Sequence, residues 1–239
     1  MKINIHSIFE SISGEAGFFQ QGTVVTFIRL QGCNLACRYC DTAETQANSI
    51  EMEMETSNIP ERVKTESVFI TGGEPLLQQP ALFELCEILT ESGHDIQIET
   101  NGSFPLFDMD WVAWVIDYKC PCAGTKSVEQ MLPIKEFTDQ LLLHRAIPKF
   151  VVDIDPTRTG TMPITDLVFA MEKMEQMRHL GYGGKFIISP IFRTAIQFSA
   201  QTHVLRIVMP ELFKFFQMAP HIWERLIFSP QIHKILNLP

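Results

Sequence analysis

The sequence contains no apolar run that reaches the roughly 18–20 residues needed to cross a bilayer, so a membrane protein is not expected. Positive charge is also scarce: 19 Lys and Arg against 28 Asp and Glu give a net charge of −9, which argues against a nucleic-acid-binding surface. Glycine (13) and proline (14) are too few for a collagen-like or low-complexity chain. Residues 1–6 are strand-like and lack the apolar stretch of a signal peptide, which predicts a cytoplasmic protein.

Six cysteines in 239 residues are too few for a disulfide scaffold, and they are placed unevenly. They form a tight triplet, a pair separated by one proline, and a single residue: Cys33, Cys37 and Cys40; Cys120 and Cys122; and Cys86. In a reducing compartment, a tight triplet is more typical of a metal site than of disulfide bonds. Cys86 lies in an apolar helical segment and is expected to be a buried residue on a helix face.

Short apolar segments rich in β-branched residues alternate with longer segments of helical periodicity. The predicted strands are Val24–Leu30, Ser67–Thr71, Asp95–Thr100, Trp114–Tyr118, Phe150–Ile154 and Lys185–Ser189, with a shorter one at Arg225–Phe228. The predicted helices are Ala81–Ser92, Val128–Ala146 (which contains Pro133), Thr165–Leu180 and Ser199–Met218. This alternation predicts an α/β fold with a mostly parallel sheet, in a single domain spanning residues 1–239. The hydrophilic segment 43–65 is expected to be a solvated excursion.

Polar sequences follow several predicted strands at the points where those strands end. They are Gln31-Gly32-Cys33, Thr71-Gly72-Gly73-Glu74-Pro75, Glu99-Thr100-Asn101-Gly102, Asp117-Tyr118-Lys119 and Ser189-Pro190. In parallel sheets, ligands bind at the carboxyl ends of the strands, which meet at one edge. The sequence therefore predicts an enzyme with one active site at this edge.

The cysteine triplet has the spacing CxxxCxxC. A structural zinc site normally takes four ligands as two separated pairs, and the triplet would need Cys120 or Cys122 as a fourth. Three thiolates on one loop suit a [4Fe–4S] cluster, in which one iron keeps an open coordination position. Zinc and the cluster are the two alternatives, and the spacing favours the cluster.

This spacing, with Tyr39 before the last cysteine and a strand before the first, resembles the signature of the radical S-adenosylmethionine (SAM) superfamily. Residues 71–75 resemble its GGEP motif, in which the backbone and the Glu contact the SAM amino group. The resemblance implies a partial, open parallel β/α barrel of about six strands. It also implies that the open iron binds SAM, and that one-electron reduction splits SAM to a 5′-deoxyadenosyl radical.

The flanking sequence is similar to that of the 7-carboxy-7-deazaguanine synthase family. The similar segments are residues 8–15, 22–34, 40–42, 98–102, 117–121 and 231–239. The resemblance implies a lyase that converts 6-carboxy-5,6,7,8-tetrahydropterin to 7-carboxy-7-deazaguanine with loss of ammonia, a step toward queuosine and other deazapurines. It further implies Mg²⁺ as a cofactor, a homodimer, and an external one-electron reductant of the flavodoxin type.

The resemblance also implies roles for individual residues. Cys33, Cys37 and Cys40 would hold the cluster, and Thr42 would bind Mg²⁺. The residues implied to contact SAM are Tyr39, Asp41, Gly73, Glu74, Gly102, Asp117, Tyr118, Lys119 and Ser189. Those implied to contact the pterin are Ile12, Ser13, Gly14, Glu15, Arg29, Thr100 and Pro239. Among the histidines, the resemblance places only His233 near the site.

Some of these residues have simpler explanations, and some depart from the family pattern. Thr42 is also a reasonable turn hydroxyl, and Arg29, on a strand among apolar neighbours, needs either a ligand anion or an internal ion pair. Ser13 and Ala16 replace the usual Gln and Gly of the family, and Asp117 replaces a Ser. An Asp at that position either accepts from the SAM ribose hydroxyls or repels the SAM carboxylate.

Two other functions share part of these features. An enzyme that places a glycyl radical on a partner protein has the same triplet spacing, but it needs a docking groove and no pterin contacts. A zinc- or cluster-binding interaction module would bind no SAM. Glu15, Arg29 and Thr42 favour the small-molecule enzyme.

Overall fold

The computed structural model describes residues 1–47, 52–153, 165–191 and 219–236, with a few single positions between 210 and 217. Its strands are β1 (Lys2–Ile12), β2 (Val24–Leu30), β3 (Met52–Glu55), β4 (Ser67–Gly72), β5 (Asp95–Thr100), β6 (Ala113–Asp117), β7 (Ala146–Val152), β8 (Phe186–Pro190) and β9 (Leu226–Phe228). The main helices are α1 (Gln79–Glu91), α2 (Thr125–Glu129), α3 (Ile134–Leu143) and α4 (Thr165–His179). Two four-residue helices, Pro220–Trp223 and Ile232–Ile235, lie near the end of the chain.

The strands form one open sheet in the order β3-β1-β2-β4-β5-β6-β7-β8-β9. β1 runs antiparallel to β2 and β3, and every pair from β2 to β9 is parallel. The predicted open, mostly parallel sheet is therefore confirmed. The described residues contain seven parallel strands rather than about six, because the short β9 continues the sheet beyond β8.

The two faces of the sheet carry different side chains because successive residues of a strand point in opposite directions. One face is apolar and packs against α1, α3 and α4 through residues such as Leu82, Phe137 and Met174. The other face carries polar residues near the carboxyl ends of the strands: Arg29, Thr71, Glu99, Asp117, Lys149 and Ser189. In the described part of the chain, no helix has the length and apolarity required to span a bilayer.

The loop between β1 and β2 folds back against the polar face. The backbone N–H groups of Phe18 and Phe19 donate to Gln97 Oε1 at 2.6 and 3.1 Å, and Ala16 packs against a small apolar cluster formed by Val115, Ile147 and Ile187. The Ala16 N–H also donates to Ser229 Oγ at 2.7 Å. The loop thus fills the concave side of the sheet below the site and fixes the position of Glu15, which precedes Ala16.

Two predictions about secondary structure need correction, and a third is not tested. The helix predicted over 128–146 is two helices, α2 and α3, because Pro133 has no N–H to continue the first one. β7 begins at Ala146, four residues before the predicted start, and includes Lys149. The predicted helix Ser199–Met218 lies almost entirely outside the described residues.

The prediction that residues 43–65 form a solvated excursion is correct only in part for its described residues, many of which are exposed. Met52 and Met54 are half-buried and alternate with exposed Glu53 and Glu55, so this short stretch pairs with β1 as the edge strand β3. Ile59, a few residues later, is completely buried. The mean hydropathy of the segment is low because these apolar residues are few. The alternation of Met and Glu over residues 52–55 is nevertheless visible in the sequence.

Candidate active site

Two adjoining cavities lie at the carboxyl ends of the parallel strands. The larger, here called the cysteine cavity, has about 840 Å³ of empty space and is lined by all three cysteines of the triplet. The smaller, here called the Arg29 cavity, has about 600 Å³ and is lined by Arg29, Gly14 and His233 among others. The residues shared by both cavities are Glu15, Asp41, Thr42, Thr71, Gly72 and Glu99. The predicted single site at this edge therefore consists of two connected chambers.

Backbone hydrogen bonds to neighbouring loops hold the cysteine loop in place. The Gly32 N–H donates to the Thr45 carbonyl at 2.8 Å, and the Arg38 N–H donates to the Ala123 carbonyl at 3.1 Å. Cys33, Cys37 and Cys40 are free thiols, each half-buried. The loop thus presents three thiols to one cavity.

The remaining cysteines do not supply a fourth ligand to the triplet. The thiol of Cys120 is directed at the Tyr118 carbonyl, at 3.9 Å, and that of Cys122 at the Val151 carbonyl, at 3.5 Å. Cys86 is completely buried in α1, as predicted. Among the described residues, no three His, Cys, Asp or Glu side chains are arranged to hold a single metal ion.

The donor set fits the implied cofactors. Three thiols without a fourth match a cluster with one open iron, and the cavity beside them has room for a ligand. The Tyr39 hydroxyl is buried beside this cavity and has no hydrogen-bond partner in the described part of the chain. An unpartnered buried hydroxyl is costly, and a polar ligand in the cavity would supply the missing partner.

The turn at Gly72 and Gly73 lies so close to the backbone before the cysteine loop that neither residue can carry a side chain. A Cβ at Gly73 would lie 1.8 Å from the Gly32 carbonyl oxygen, and one at Gly72, where φ is +121°, would lie 2.3 Å from Leu30 N. The Glu74 N–H then donates to the Gly32 carbonyl at 2.7 Å. The two glycines therefore allow the end of β4 to pack directly against the backbone that precedes Cys33.

Replacing Gly73 with Ala is expected to lower the amount of cluster that the protein retains. The added methyl group would collide with backbone that cannot rotate away, so the cysteine loop must move, at a cost of about 1–3 kcal/mol. Iron and sulfide analysis after anaerobic reconstitution measures the effect. Gly183→Ala is the matched control, because a Cβ at that exposed position meets nothing within 4 Å. Equal iron content in both variants would contradict this reading of the turn.

Lys149 on β7 is the centre of a buried charge network. Its Nζ contacts carboxylates from three separate elements, at 3.0 Å to Glu15, at 3.3 Å to Asp117, and at hydrogen-bond distance to Glu99. Its side chain is only 3 % exposed. Asp117 also accepts from Lys119 Nζ at 2.5 Å, so two lysines face three carboxylates.

The network sets the protonation of its members. Burial lowers the pKa of Lys149, but the three carboxylates outweigh this effect and hold that pKa well above its usual value. Burial raises the pKa of Glu15, but Lys149 and Gln231 outweigh this effect and lower it to about 2. Burial raises the pKa of Glu99 to about 7, with Asp117 and Glu15 adding to the effect and Lys149 opposing it. Glu15 is therefore firmly ionised, whereas Glu99 titrates near neutrality.

Replacing Lys149 with Met is expected to destabilise the protein by about 3–5 kcal/mol, because it leaves buried carboxylates without their counter-ion. Chemical denaturation of the metal-free protein measures the effect. Lys135→Met is the control: Lys135 pairs only with Asp139, and its side chain is 72 % exposed. A Lys149→Met variant as stable as the control would contradict the proposed network.

The chain resembles proteins of known family in sequence and in fold. The Radical SAM superfamily model matches residues 27–119. The 7-carboxy-7-deazaguanine synthase of Methanospirillum hungatei is 32 % identical over 99 % of this chain and 86 % of that protein. The chain belongs to the 7-carboxy-7-deazaguanine synthase family. The synthase of Koribacter versatilis is also 32 % identical, over 80 % of this chain and 79 % of that protein.

The fold of this 7-carboxy-7-deazaguanine synthase family member is similar to a crystal structure of QueE from Escherichia coli. The TM-score is 0.64 with 20 % sequence identity, covering 96 % of this chain and 94 % of the other. Family membership confirms a radical SAM enzyme with a [4Fe–4S] cluster and SAM as cofactors. None of these matches supports the alternative of a glycyl-radical activating enzyme.

The Arg29 side chain lines the Arg29 cavity and forms no ion pair within the described part of the chain. Its guanidinium stacks 4.9 Å from the centre of the Phe9 ring. It has no carboxylate partner among the described residues, so the predicted alternative of an internal ion pair is not found. A strand-borne cation in a cavity, held by an aromatic ring, is available to bind a ligand anion.

The segment 231–234 closes the synthase site from the side of the β1–β2 loop. Gln231 Nε2 donates to Glu15 at 2.6 Å, and Lys234 Nζ lies 2.6 Å from Asp41. His233 packs against Gly14 so closely that a Cβ there would lie 1.9 Å from its Nδ1. The prediction that His233 lies near the site is confirmed, and Gly14 is required by this contact.

Most residues predicted for the synthase site line one of the two cavities. They are Gly14, Glu15, Arg29, Cys33, Cys37, Tyr39, Cys40, Asp41, Thr42, Gly73, Thr100, Asp117 and Lys119. Each of these residues is placed where it could contact a ligand, and the contacts themselves remain predictions.

Glu74 and Gly102, which are also predicted to contact SAM, pack against the backbone of neighbouring strand ends. Glu74 is completely buried, and its carboxylate accepts from Thr100 Oγ1, from the Asn101 N–H and from the Leu76 N–H. A Cβ at Gly102, where φ is +77°, would lie 2.3 Å from the Asp117 carbonyl oxygen, so this glycine is required by the adjacent strand. These two residues shape the strand ends that carry the cavity wall.

The last group of predicted residues lines neither cavity in the part of the chain that the structure describes. The Tyr118 ring packs edge-on against Phe137 in the core, at 4.8 Å between ring centres. Ser189 is buried and donates to Glu15 at 3.2 Å. Ile12 ends β1, and Ser13 closes the following turn through its hydroxyl, which donates to the Glu15 carbonyl at 3.1 Å. Pro239 is outside the described residues.

Sequence reasoning missed Lys149 entirely and assigned no individual role to several other polar residues that line the site, among them Glu99, Gln231 and Lys234. For Lys149, the missed signal is a charged residue inside the apolar segment 146–152. For Glu99, it is the alternation of Gln97 and Glu99 with buried Ile96 and Ile98. Arg29 is identified because a charged residue on a strand with apolar neighbours needs a ligand or an ion-pair partner, and the same argument applies to Lys149 and Glu99.

Proposed function

We propose that this chain converts 6-carboxy-5,6,7,8-tetrahydropterin to 7-carboxy-7-deazaguanine with release of ammonia, as the names of its relatives indicate. The observation that carries the proposal is Arg29, a cation without a carboxylate partner among the described residues, in a cavity that adjoins the three thiols. A carboxylated substrate bound to Arg29 would lie beside the source of the radical.

Cys33, Cys37 and Cys40 would hold the cluster, and the cysteine cavity would take SAM. When bound, the cluster and SAM together supply a carbon-centred radical that removes a hydrogen atom from the substrate. The Tyr39 hydroxyl and the Asp117–Lys119 pair line the space for SAM. Because Lys119 and Lys149 balance its charge, Asp117 does not present a bare carboxylate to SAM.

The remaining residues bind and shield the substrate. Arg29 binds the substrate carboxylate as a charge-assisted pair. Gln231 lines the cysteine cavity and His233 lines the Arg29 cavity, both near the β1–β2 loop. They would limit the access of water to the radical. These residues keep the substrate in one orientation while its ring rearranges.

Finer features of the proposal rest on family membership. We infer that Mg²⁺ binds at Thr42, a residue that lines both cavities and whose hydroxyl suits a hard cation. We also infer a cytoplasmic homodimer, with residues 1–239 as one radical SAM domain and a flavodoxin-like protein as the electron donor. The single continuous sheet supports the one-domain assignment.

The direct test is anaerobic incubation of the reconstituted enzyme with SAM, Mg²⁺, a reductant and 6-carboxytetrahydropterin. The expected result is 7-carboxy-7-deazaguanine and ammonia in equal amounts, identified by mass spectrometry and an ammonia assay. An intact cluster without this product would reject the proposed function. A glycyl radical signal on a candidate partner protein would instead favour the activating-enzyme alternative.

A further inference from the structure

Glu99 is the most exposed carboxylate of the Lys149 network, and one of its oxygens accepts no hydrogen bond from the described residues. Asp117 Oδ1 also lacks a hydrogen bond from these residues, but it is buried and lies 3.3 Å from Lys149 Nζ. Glu15 accepts from Lys149, Gln231 and Ser189, and Asp117 contacts two lysines. Glu99 Oε1 accepts only from Lys149, and no hydrogen bond from the described residues reaches Oε2. Its side chain is also the most open of the three, at 21 % exposure against 15 % for Glu15 and 9 % for Asp117.

Glu99 and Arg29 lie in one row across the sheet. Arg29 pairs with Thr71 of β4, and the register that pairs Ile70 with Ile98 continues with Thr71 beside Glu99. Two strand spacings of about 4.8 Å place the Arg29 and Glu99 backbones about 10 Å apart. Both side chains line the Arg29 cavity, with Thr71 between them.

Below the row that contains these two charged groups, the Arg29 cavity is lined by aromatic side chains. Phe27 and Phe69 precede Arg29 and Thr71 by two residues on the same strands and face the same side of the sheet. Both line the cavity, and their rings stack with centres 5.0 Å apart. The cavity thus combines an apolar aromatic lining, a cation on one side and a carboxylate with a free oxygen on the other. A planar heterocycle with a carboxylate at one end and N–H donors at the other matches this arrangement.

We propose that Glu99 is the specificity-determining residue for the aminopyrimidinone ring of the substrate, accepting its amino and ring N–H groups while Arg29 binds the carboxylate. The inference rests on the proposed function and deepens it. Oε2 is free, and Oε1 keeps a second lone pair beside its bond to Lys149, so the ionised carboxylate can accept two parallel N–H bonds from such a ring. Losing that charged acceptor weakens binding by about 10- to 100-fold. Glu15 is predicted from the resemblance to line the pterin, but its oxygens are engaged by protein donors.

The test compares two fluorescent ligands that do not react: pterin-6-carboxylate, and lumazine-6-carboxylate, which carries oxygen in place of the amino group. Fluorescence titration of the reconstituted enzyme with SAM gives both Kd values. The wild-type enzyme is expected to bind the pterin at least 10-fold more tightly than the lumazine. Glu99→Gln is expected to lose or reverse this preference, because an amide can donate to the lumazine oxygen.

Two matched variants separate recognition from structure. Glu15→Gln is expected to weaken both ligands together, without changing their ratio, because it disturbs the network and not the acceptor. Glu53→Gln, on the exposed edge of β3, is expected to change neither Kd. Cluster absorbance and thermal unfolding show whether each variant is folded.

The outcomes distinguish this inference from the proposed function. An unchanged pterin preference in Glu99→Gln would overturn the inference, even if the wild-type enzyme converts 6-carboxytetrahydropterin. A wild-type enzyme that binds neither ligand, or binds both equally, would also overturn it. Product formation by the same wild-type preparation decides separately whether the proposed function is correct.

Discussion

Replacing Cys37 with Ala is expected to abolish both iron–sulfur absorbance and product formation in the anaerobically reconstituted enzyme. Only two thiols, those of Cys33 and Cys40, would then face the cysteine cavity, and two ligands do not hold a cubane cluster in place. Product formation should fall below detection, because the radical has no other source. Absorbance, iron and sulfide content, and turnover measure the effect.

Cys122→Ala is the control for the Cys37 variant and also decides between the two metal alternatives. The Cys122 thiol is directed at the Val151 carbonyl, and burial raises its pKa, so it is not expected to be a metal ligand. The variant should keep its cluster and its activity. Loss of metal from Cys122→Ala would show that a fourth thiol is needed and would favour zinc over the cluster.

Replacing Arg29 with Met is expected to raise KM for 6-carboxytetrahydropterin about 100-fold, with the cluster and the binding of SAM unchanged. The substrate carboxylate would enter the cavity without its cation, and a lost hydrogen bond between charged groups costs roughly 1.5–3 kcal/mol. Met retains most of the apolar stem that packs on Phe9, so the fold should be unaffected.

Arg62→Met, at an exposed position outside both cavities, is the matched control and should leave KM unchanged. A normal KM for Arg29→Met would show that another group binds the carboxylate. A reduced cluster content in that variant would show that Arg29 is structural, which the cavity geometry does not predict.

The parts of the fold that follow a strong local pattern could be predicted from the sequence. Val24–Leu30 and Asp95–Thr100 have the predicted boundaries because each is a β-branched run bounded by turn residues. The cysteine triplet and the GGEP turn were recognisable because their chemistry depends on neighbours in the sequence. Such features require no knowledge of the rest of the chain.

Features that depend on tertiary contacts could not be predicted in the same way. The role of Gly73 depends on the Gly32 carbonyl, and the environment of Lys149 depends on carboxylates from three other elements. Sequence spacing does not show which strands become neighbours. The structure therefore moves the emphasis from Glu15, whose oxygens are engaged, to Glu99, which has a free oxygen.

The central claim is that three thiolates hold a cluster whose fourth iron is free to bind SAM. EPR spectroscopy of the anaerobically reconstituted and reduced enzyme, recorded with and without SAM, tests it most directly, together with iron and sulfide analysis. The account predicts about four iron and about four sulfide per chain, and an EPR signal that changes when SAM is added. Protein without sulfide, or a cluster signal that SAM leaves unchanged, would contradict it.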